Sequence, residues 1–373
     1  MESTQRELTS LDELFLQRAY ELAARGVGNT APNPPVGAVV VQKGRLIGEG
    51  YHSRAGEAHA ETNAIAQAGE AARGATLYVS LEPCRHVGRT PPCTSAVAAA
   101  GIARVVAGTV DPSGRGGAGE LRECGIEVAI AEDPAARELI ETFARANALV
   151  RPYVALKMAM SLDGVVAARP GVRERLGSPA EERYVRDLRT RFDAVMVGAE
   201  TIRVDDPQLT VRPPHDRARP YVRVVACGGK PLSARSRVFS DMAGYATTIA
   251  LVTAGSAAHF EALSGVADVV EVSAAGDGAL DLPAAMKALR DRGVFSVLCE
   301  GGPKLAASLL AANVVDRVYW AIAPLFLSGA NAVHVLSGRN LGGISIRVDR
   351  VDRADDDVIV SGVPNGAEAD ASV

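Results

Sequence analysis

Two short stretches, HAE at residues 59–61 and PCRHVGRTPPC at residues 83–93, hold a histidine, a glutamate and two cysteines suited to a metal site. The surrounding pattern predicts that His59 begins a helix, Cys84 follows a strand and Cys93 begins another helix. Helix N-termini favour thiolate over thiol, and Zn²⁺ prefers thiolates and neutral imidazole as ligands. Three such ligands leave a fourth position open, as in catalytic rather than structural zinc sites.

Glu61 lies two residues after the predicted ligand His59 and need not bind the metal. A carboxylate there can carry a proton between water and a leaving nitrogen. His-x-Glu followed by Pro-Cys and a further cysteine is the general signature of zinc deaminases. A lone His-x-Glu, or two cysteines in helices, would more often be structural. Their conjunction is much rarer, so the sequence favours a zinc site with Glu61 as the catalytic proton carrier.

Helices and strands alternate in the first half of the chain. Ser10 and Glu13 predict a capping box for a helix whose apolar face is formed by Leu11, Leu14, Phe15, Ala19 and Leu22. Residues 36–41 and 45–51 predict a hairpin with its turn at Lys43-Gly44. Further helices are predicted at 59–69, 93–101 and 133–149, and further strands at 75–81 and 104–110. This order predicts an α/β fold with a central sheet between helices.

The composition limits the class of protein. A chain of 373 residues is too long for one ordinary core, so two domains are expected. Hydrophobic residues make up 47%, and the net charge of −4 gives no general attraction for nucleic acid. The N-terminus is polar, and no apolar run reaches the roughly 18 residues of a membrane span, so no membrane association is expected. Five scattered cysteines predict a cytoplasmic protein. A homo-oligomer stays open.

The second half begins near Arg151-Pro152, a natural break after the preceding helix. Strands are predicted at 192–202, 220–227, 248–253, 295–303 and 315–324, with helices at 181–191 and 302–313. The helix at 302–313 directly follows Gly301-Gly302. A strand, a glycine pair and a helix N-terminus form a plausible phosphate cradle, although such glycines are mostly structural.

Four stretches of the first half resemble the bifunctional deaminase–reductase of bacterial riboflavin biosynthesis: TAPNPPVGAVVV (30–41), GEGYHSRAGEAHAE (48–61), LYVSLEPCRHVGRTPPC (77–93) and RVVAGTVDP (104–112). The resemblance implies a three-layer, cytidine-deaminase-like domain with the same zinc ligands and the same proton carrier. It also implies that Asn33 lies at the pyrimidine pocket, and that His86 and Arg89 lie near the phosphate of a phosphorylated pyrimidine substrate.

Four stretches of the second half resemble the reductase domain of the same family: SLDG (161–164), DAVMVGAETIRVDDPQLTVR (193–212), EGGPKL (300–305) and IAPLFLSG (322–329). The resemblance implies a dihydrofolate-reductase-like fold and NADPH as cofactor. The implied cofactor contacts are Thr201, Asp205, Gly302, Pro303 and Lys304. The implied substrate contacts are Arg189, Leu209, Arg212 and Glu300.

The second half also departs from the family pattern. Arg175 and Gly177 stand where the family has a tryptophan and a threonine that touch the cofactor. Gly228 replaces a hydroxyl residue after the next strand, and Arg173 replaces a serine that contacts substrate. These exchanges predict weaker NADPH binding, which Arg173 and Arg175 could partly restore by pairing with a cofactor phosphate.

The resulting prediction is a deaminase domain at 1–150, a reductase-like domain at 151–363 and a disordered tail at 364–373. The first domain would deaminate 2,5-diamino-6-(phosphoribosylamino)pyrimidin-4-one, and the second would reduce the ribosyl group of the product. One alternative is a deaminase with a degenerate second domain, serving a secondary pathway such as azapteridine synthesis. A nucleic-acid base deaminase and a non-catalytic zinc module are further alternatives. The long cysteine spacing argues against the former, and the open ligand set with Glu61 argues against the latter.

Overall fold

The structure, a computed structural model, describes residues 8–87, 91–211, 217, 219–240 and 245–365. The chain divides into two compact units, Met1–Asn147 and Ala148–Val373. Two predicted site residues, Arg89 and Arg212, lie outside the described residues. None of the helices in the described part of the chain combines the length and the apolar character that crossing a membrane requires.

The first unit is a five-stranded sheet between two layers of helices. Its helices are α1 (Ser10–Ala24), α2 (Ala60–Ala68), α3 (Cys93–Ala99), α4 (Ala118–Glu123) and α5 (Pro134–Ala148). Its strands are β1 (Gly37–Gln42), β2 (Arg45–Tyr51), β3 (Thr76–Val79), β4 (Arg104–Ala107) and β5 (Glu127–Ile130), in the order β2-β1-β3-β4-β5. Side chains of β1 alternate between the two cores: Val39 packs with Phe15 of α1, and Val40 packs with Ala64 of α2. The predicted three-layer fold is confirmed.

The start of α1 differs from the prediction. The capping box is formed by Thr9 and Asp12, not by Ser10 and Glu13. The Asp12 N–H donates to Thr9 Oγ1 (3.2 Å), and the Thr9 N–H donates to Asp12 Oδ2 (2.9 Å). Both pairs obey the same three-residue spacing, so the sequence alone did not separate them.

The buried face of α1 is also rotated. Asp12 faces the sheet because its carboxylate binds Arg104 of β4 (2.6 Å) and accepts a hydrogen bond from Tyr78 of β3 (2.8 Å). With Asp12 turned inward, Leu11 and Leu14 are exposed, contrary to the prediction. The other predicted side chains, Phe15, Ala19 and Leu22, are buried.

The hairpin of β1 and β2, with its turn at Lys43-Gly44, is confirmed. Helix α2 packs very closely on β2. A Cβ atom at Gly50 would lie 2.5 Å from Cβ of Asn63 and 2.7 Å from the carbonyl oxygen of Ala60. Only glycine permits this approach, which places the start of α2 against the sheet.

The second unit is built on a nine-stranded sheet. Its helices are α6 (Pro179–Thr190), α7 (Ala199–Asp205), α8 (Leu282–Asp291) and α9 (Pro303–Ala311). Its strands are β6 (Tyr153–Ser161), β7 (Val165–Ala167), β8 (Ala194–Gly198), β9 (Tyr221–Gly228), β10 (Ala246–Thr253), β11 (Asp268–Val272), β12 (Ser296–Cys299), β13 (Arg317–Ala323), β14 (Val333–His334), β15 (Ile346–Ala354) and β16 (Asp357–Pro364). The sheet order is β11-β10-β9-β8-β12-β6-β13-β16-β15, and β7 pairs separately with β14.

Helices cover both faces of this sheet. Leu309 of α9 and Met286 of α8 share one core with Leu156 of β6. Ile202 of α7 packs with Val195 of β8 in the core on the opposite face. The six strands from β11 to β6 are parallel to their neighbours, while β15 and β16 form an antiparallel hairpin at one edge.

Three boundaries predicted for this unit were wrong, one of them the end of the strand predicted at 295–303, which lies at Cys299. The strand predicted at 192–202 ends at Gly198, and α7 begins at Ala199. A short buried apolar run fits a strand and a helix equally well, so periodicity could not place this boundary. The predicted disordered tail began at Pro364, but that residue ends β16, where it pairs with Ile346. Residues 366–373 lie outside the described residues.

Candidate active sites

Three predicted metal ligands meet at the ends of elements of the first unit. His59 is the N-cap residue of α2, and its side chain makes no capping hydrogen bond. Cys93 is the first residue of α3, and Cys84 lies in the segment after β3, held by a bridge to Gly116. The Nδ1 and Sγ atoms of the three ligands lie within 4.8 Å of one another.

The spacing of these atoms suits zinc. His59 Nδ1 lies 3.2 Å from Cys93 Sγ and 3.6 Å from Cys84 Sγ. With Zn–S bonds of ~2.3 Å and Zn–N bonds of ~2.0 Å, tetrahedral ligand atoms lie about 3.5–3.8 Å apart. The donor set therefore fits a zinc ion that binds to three protein groups and keeps one position open.

Contacts within the cluster shift the pKa values of the two thiols in opposite directions. The hydrogen bond with Cys93, aided by one with His59, lowers the pKa of Cys84. The contact with Cys84, together with burial, raises the pKa of Cys93. Thiolate is the form of cysteine that binds metal, and a bound cation favours it at both positions.

Glu61 lies in the first turn of α2, directly beside this cluster. Its side chain is only 3% exposed, and burial raises the pKa of its carboxyl group. The carboxyl group also contacts Cys93 through a side-chain hydrogen bond. A carboxyl group with a raised pKa can both accept and donate a proton near neutral pH, which is what a proton carrier requires.

Asn33 is held beside the cluster by His52, a residue that the sequence analysis missed. Asn33 Nδ2 lies 3.2 Å from His52 Nε2, and His52 Nδ1 lies 3.2 Å from the carbonyl oxygen of Ala58. That carbonyl accepts a hydrogen bond only from a protonated Nδ1, which leaves Nε2 as the acceptor for the amide. Burial lowers the pKa of His52 and favours this neutral form. The His52 ring lies 5.1 Å from that of His59.

Glu82 orders the loop that supports Cys84. Its carboxylate accepts hydrogen bonds from the N–H groups of Asp111 (3.1 Å) and Ala118 (2.8 Å). A Cβ atom at Gly116, the bridge partner of Cys84, would lie 2.0 Å from the same carboxylate. Glu82 was not among the predicted site residues, although it lies two residues before a predicted ligand.

We expect Glu82→Ala to lower zinc affinity by about 10–100-fold, the usual effect of removing a group that orients a ligand. The variant should still fold, because its three zinc ligands are unchanged. Competition with a chromogenic chelator would measure the affinity. Glu123→Ala, at the end of the neighbouring helix α4, is the control and should bind zinc as the wild type does. Equal zinc affinity in the wild type and in Glu82→Ala would contradict this role.

His86 is the described member of the predicted phosphate pair. Its Nδ1 atom is buried and has no hydrogen-bond partner among the residues that the structure describes. A polar atom of this kind is available to a ligand. Its predicted companion Arg89 lies outside the described residues.

Arg189 and Glu300, both predicted substrate contacts, form a partly buried ion pair in the second unit. Arg189 of α6 donates through Nε (2.5 Å) and Nη2 (2.6 Å) to the Glu300 carboxylate, which follows β12. Burial opposes the charge on Arg189, but Glu300 outweighs it and raises the pKa of the guanidinium. Arg189 Nη1 also donates to the carbonyl oxygen of Thr210 (3.0 Å).

Leu209, another predicted substrate contact, precedes Thr210 and has a left-handed backbone with φ of 53°. A leucine in this region is strained, and such strain concentrates at functional sites. Arg189 therefore contacts Glu300 on one side and the residue after Leu209 on the other. Three of the four predicted substrate positions lie together in this way. Arg212 is the fourth and lies outside the described residues.

The predicted cofactor contacts gather where β8 and β12 end. Thr201 Oγ1 accepts a hydrogen bond from the Gly302 N–H (3.2 Å), which joins α7 to the start of α9. Pro303 is the first residue of α9 and Lys304 the second. Asp205 ends α7, and burial raises the pKa of its carboxyl group. A helix N-terminus beside a glycine turn is suited to binding phosphate.

Comparison with known families decides what these two units are. The family model described as cytidine and deoxycytidylate deaminase zinc-binding region matches residues 9–109, and the one described as RibD C-terminal domain matches residues 152–360. The riboflavin biosynthesis protein RibD of Aquifex aeolicus (strain VF5) is 36% identical over 95% of this chain and 98% of its own length. That of Escherichia coli (strain K12) is 38% identical over 88% of this chain and 92% of its own length. The chain belongs to the RibD family.

Solved structures agree with this assignment. A Thermotoga maritima structure described as a diaminohydroxyphosphoribosylaminopyrimidine deaminase/5-amino-6-(5-phosphoribosylamino)uracil reductase matches with a TM-score of 0.80 and 34% identity, covering 95% of this chain and 99% of that one. Acinetobacter baumannii RibD, form 1, matches with a TM-score of 0.80 and 31% identity over the same shares of the two chains. This RibD-family chain is an enzyme of riboflavin biosynthesis with a deaminase domain and a reductase domain. Zinc is the cofactor of the first, and the second is related to NADPH-dependent RibD reductases.

The positions at which this RibD-family chain departs from the expected motif are occupied by contacts of its own. Arg175 is exposed and pairs with Glu182 of α6 (2.6 Å). Gly177 leaves room for the side chain of Glu181, because a Cβ atom there would lie 2.3 Å from Glu181 Oε2. Gly228 has φ of 62°, which disfavours any other residue.

Proposed function

We propose that the first domain deaminates 2,5-diamino-6-(phosphoribosylamino)pyrimidin-4-one and that the second reduces the ribosyl group of the aminouracil product with NADPH. The open set of His59, Cys84 and Cys93 with buried Glu61 beside it is the observation that carries this proposal. The membership of the chain in the RibD family supports both steps.

In the deamination, water supplies an oxygen to ring carbon 2, and the bond from that carbon to its amino group breaks to release ammonia. Zinc, when bound by His59, Cys84 and Cys93, acidifies water and stabilises negative charge. Glu61 accepts a proton from the water and delivers it to the leaving nitrogen. The Asn33 side chain, oriented by His52, hydrogen-bonds the pyrimidine.

In the reduction, the bond between the first carbon of the ribosyl group and the ring oxygen breaks, and that oxygen takes up a proton from water. NADPH, when bound, would supply the hydride to the same carbon, which gives the ribityl chain. The helix N-terminus at Gly302 and the Thr201 hydroxyl contact the cofactor. Arg189 is fixed by Glu300, and its guanidinium is preorganised to bind the substrate.

Mass analysis of the products tests both steps. Zinc-loaded protein incubated with the diaminopyrimidine phosphate should release ammonia without NADPH. Adding NADPH should convert the aminouracil product to its ribityl form, two hydrogen atoms heavier. No ammonia release would refute the deaminase, and deamination without the ribityl product would refute the reductase.

Arg89→Ala should raise the KM for the phosphorylated substrate by about 10–100-fold, because hydrogen bonds to charged groups contribute roughly 1.5–3 kcal/mol. Activity on the dephosphorylated analogue should change little. Steady-state deamination of both substrates would measure the two effects. Arg115→Ala, an exposed arginine on the 111–118 loop, is the control. Equal losses on both substrates would mean that Arg89 supports the loop and does not bind the phosphate.

A further inference from the structure

A second buried ion pair joins α6 to the sheet of the reductase domain. Lys157 Nζ of β6 lies 2.5 Å from Glu181 Oε1 of α6. The two side chains are 13% and 6% exposed, so the pair is almost removed from water. Neither residue is among the substrate or cofactor contacts that the sequence implied.

The strand register places this pair beside the predicted substrate site. Cys299 of β12 pairs with Leu156 of β6, so the next residues, Glu300 and Lys157, lie opposite each other on strands about 4.8 Å apart. Cys299 and Leu156 point into the core under α9, so Glu300 and Lys157 point to the face covered by α6. There Glu300 meets Arg189, and Lys157 meets Glu181. Glu181 also contributes to the raised pKa of Arg189, as expected for two pairs on the same face of the sheet.

The Glu181 carboxylate leaves no space for a side chain at Gly177, just before α6. A Cβ atom at Gly177 would lie 2.3 Å from Glu181 Oε2 and 2.7 Å from its Cδ. Gly177 does not have a positive φ. Glycine is therefore needed at this position for space and not for its conformational freedom. Any side chain at position 177 would displace the carboxylate from Lys157.

Anchoring of the helix does not explain the pair. Ser178, the N-cap residue of α6, already donates through its N–H to Asp357 (2.7 Å) and through Oγ to the carbonyl oxygen of Ala354 (3.1 Å). The Ser178 hydroxyl also caps α6 by accepting from the Glu181 N–H (3.2 Å). A buried ion pair adds little stability over apolar side chains of similar volume, because both charges lose their hydration. The pair is therefore better explained by what the ammonium does.

We propose that Glu181 is a positioning residue of the reductase: it holds the Lys157 ammonium beside Glu300 at the substrate site, and position 177 is glycine to admit its carboxylate. This inference rests on the proposed reductase activity. An ammonium fixed in this way offers a positive charge and its two remaining N–H donors to a polar substrate. Without the Glu181 carboxylate, the ammonium is no longer held at this position.

The test compares Glu181→Gln with the wild type in the NADPH-dependent step. We expect the reductase kcat to fall at least 10-fold, with the KM values for NADPH and for the aminouracil substrate within threefold of wild type. Deamination by the same sample should be unchanged and reports that the chain is intact. Glu261→Gln, at an exposed glutamate of the same unit, is the matched control and should reduce at the wild-type rate.

A second set of variants distinguishes a positioning role of Glu181 from a packing role. Gly177→Ala alone should lower both the melting temperature and the reductase kcat, because its Cβ meets the carboxylate. Adding Glu181→Ala to it should restore the melting temperature but not kcat. Lys157→Met with Glu181→Leu should also fold, since an apolar pair replaces an ionic one, and should still lose reduction.

Wild-type kcat in Glu181→Gln, in Gly177→Ala with Glu181→Ala, or in the apolar pair would overturn the positioning role. A wild-type chain without any reductase turnover would instead refute the proposed reduction, and the positioning role with it. The steric part is judged separately: an unchanged melting temperature in Gly177→Ala would show that the carboxylate does not need this space.

Discussion

Glu61→Gln is expected to lower the deaminase kcat by about 10²–10⁴-fold, the usual contribution of a general acid–base group. The amide keeps the volume of the buried side chain but can no longer take up and release a proton. The ligand atoms of His59, Cys84 and Cys93 are untouched, so the variant should purify with one zinc per chain, as the wild type should. Ammonia release and metal analysis of the same sample measure both outcomes.

Glu70→Gln is the control for this experiment, because Glu70 is an exposed glutamate just beyond α2. It should keep both zinc and turnover. Loss of zinc in Glu61→Gln would place Glu61 among the metal ligands, and wild-type turnover would remove it from the proton path. Reductase activity should be equal in all three proteins, since Glu61 lies in the other unit.

The sequence predicted the residues of the deaminase site because their chemistry is local. His59 and Glu61 lie on one helix turn, and Cys93 is placed by the start of α3. Cys84 lies beyond the end of β3 and also depends on its bridge to Gly116. The hairpin turn at Lys43-Gly44 is equally local. His52 and Glu82 were missed because their roles depend on contacts with Asn33 and with the 111–118 loop, which no spacing in the sequence reveals.

Other errors arose where tertiary contacts outweigh local pattern. The apolar Leu11 and Leu14 predicted the buried face of α1, but the ion pair of Asp12 with Arg104 turns that face away from the sheet. Position 177 could be recognised as a departure from the family motif, but not as an accommodation of Glu181. That carboxylate lies four residues further along the chain and reaches back over the glycine.

The contacts of Arg175 and Gly177 also bear on the affinity expected for NADPH. Arg175 stands where the resemblance implies an aromatic contact, and it pairs with Glu182. The space beside Gly177 is filled by the Glu181 carboxylate. Losing an aromatic face and two hydroxyl contacts costs about 2–5 kcal/mol of binding free energy. At ~1.4 kcal/mol per tenfold change, NADPH should bind roughly 30–5,000-fold more weakly than to a relative with the full motif.

Calorimetric titration of the zinc-loaded chain with NADPH measures this affinity directly. The Arg175→Trp variant tests how much of the loss is due to the missing aromatic contact. The arginine is 71% exposed and its pair with Glu182 is a surface one, so replacing it should cost at most about 1 kcal/mol of stability. If the aromatic face is what the cofactor lacks, the variant should bind NADPH about 3–10-fold more tightly, as one aromatic contact allows. Gly177→Thr, by contrast, should not tighten NADPH binding, because the Glu181 carboxylate occupies the space that the threonine side chain needs.

Micromolar or tighter NADPH binding by the wild type would refute the predicted weakening. No binding at millimolar NADPH, with deamination intact, would leave the second domain without a reductase function.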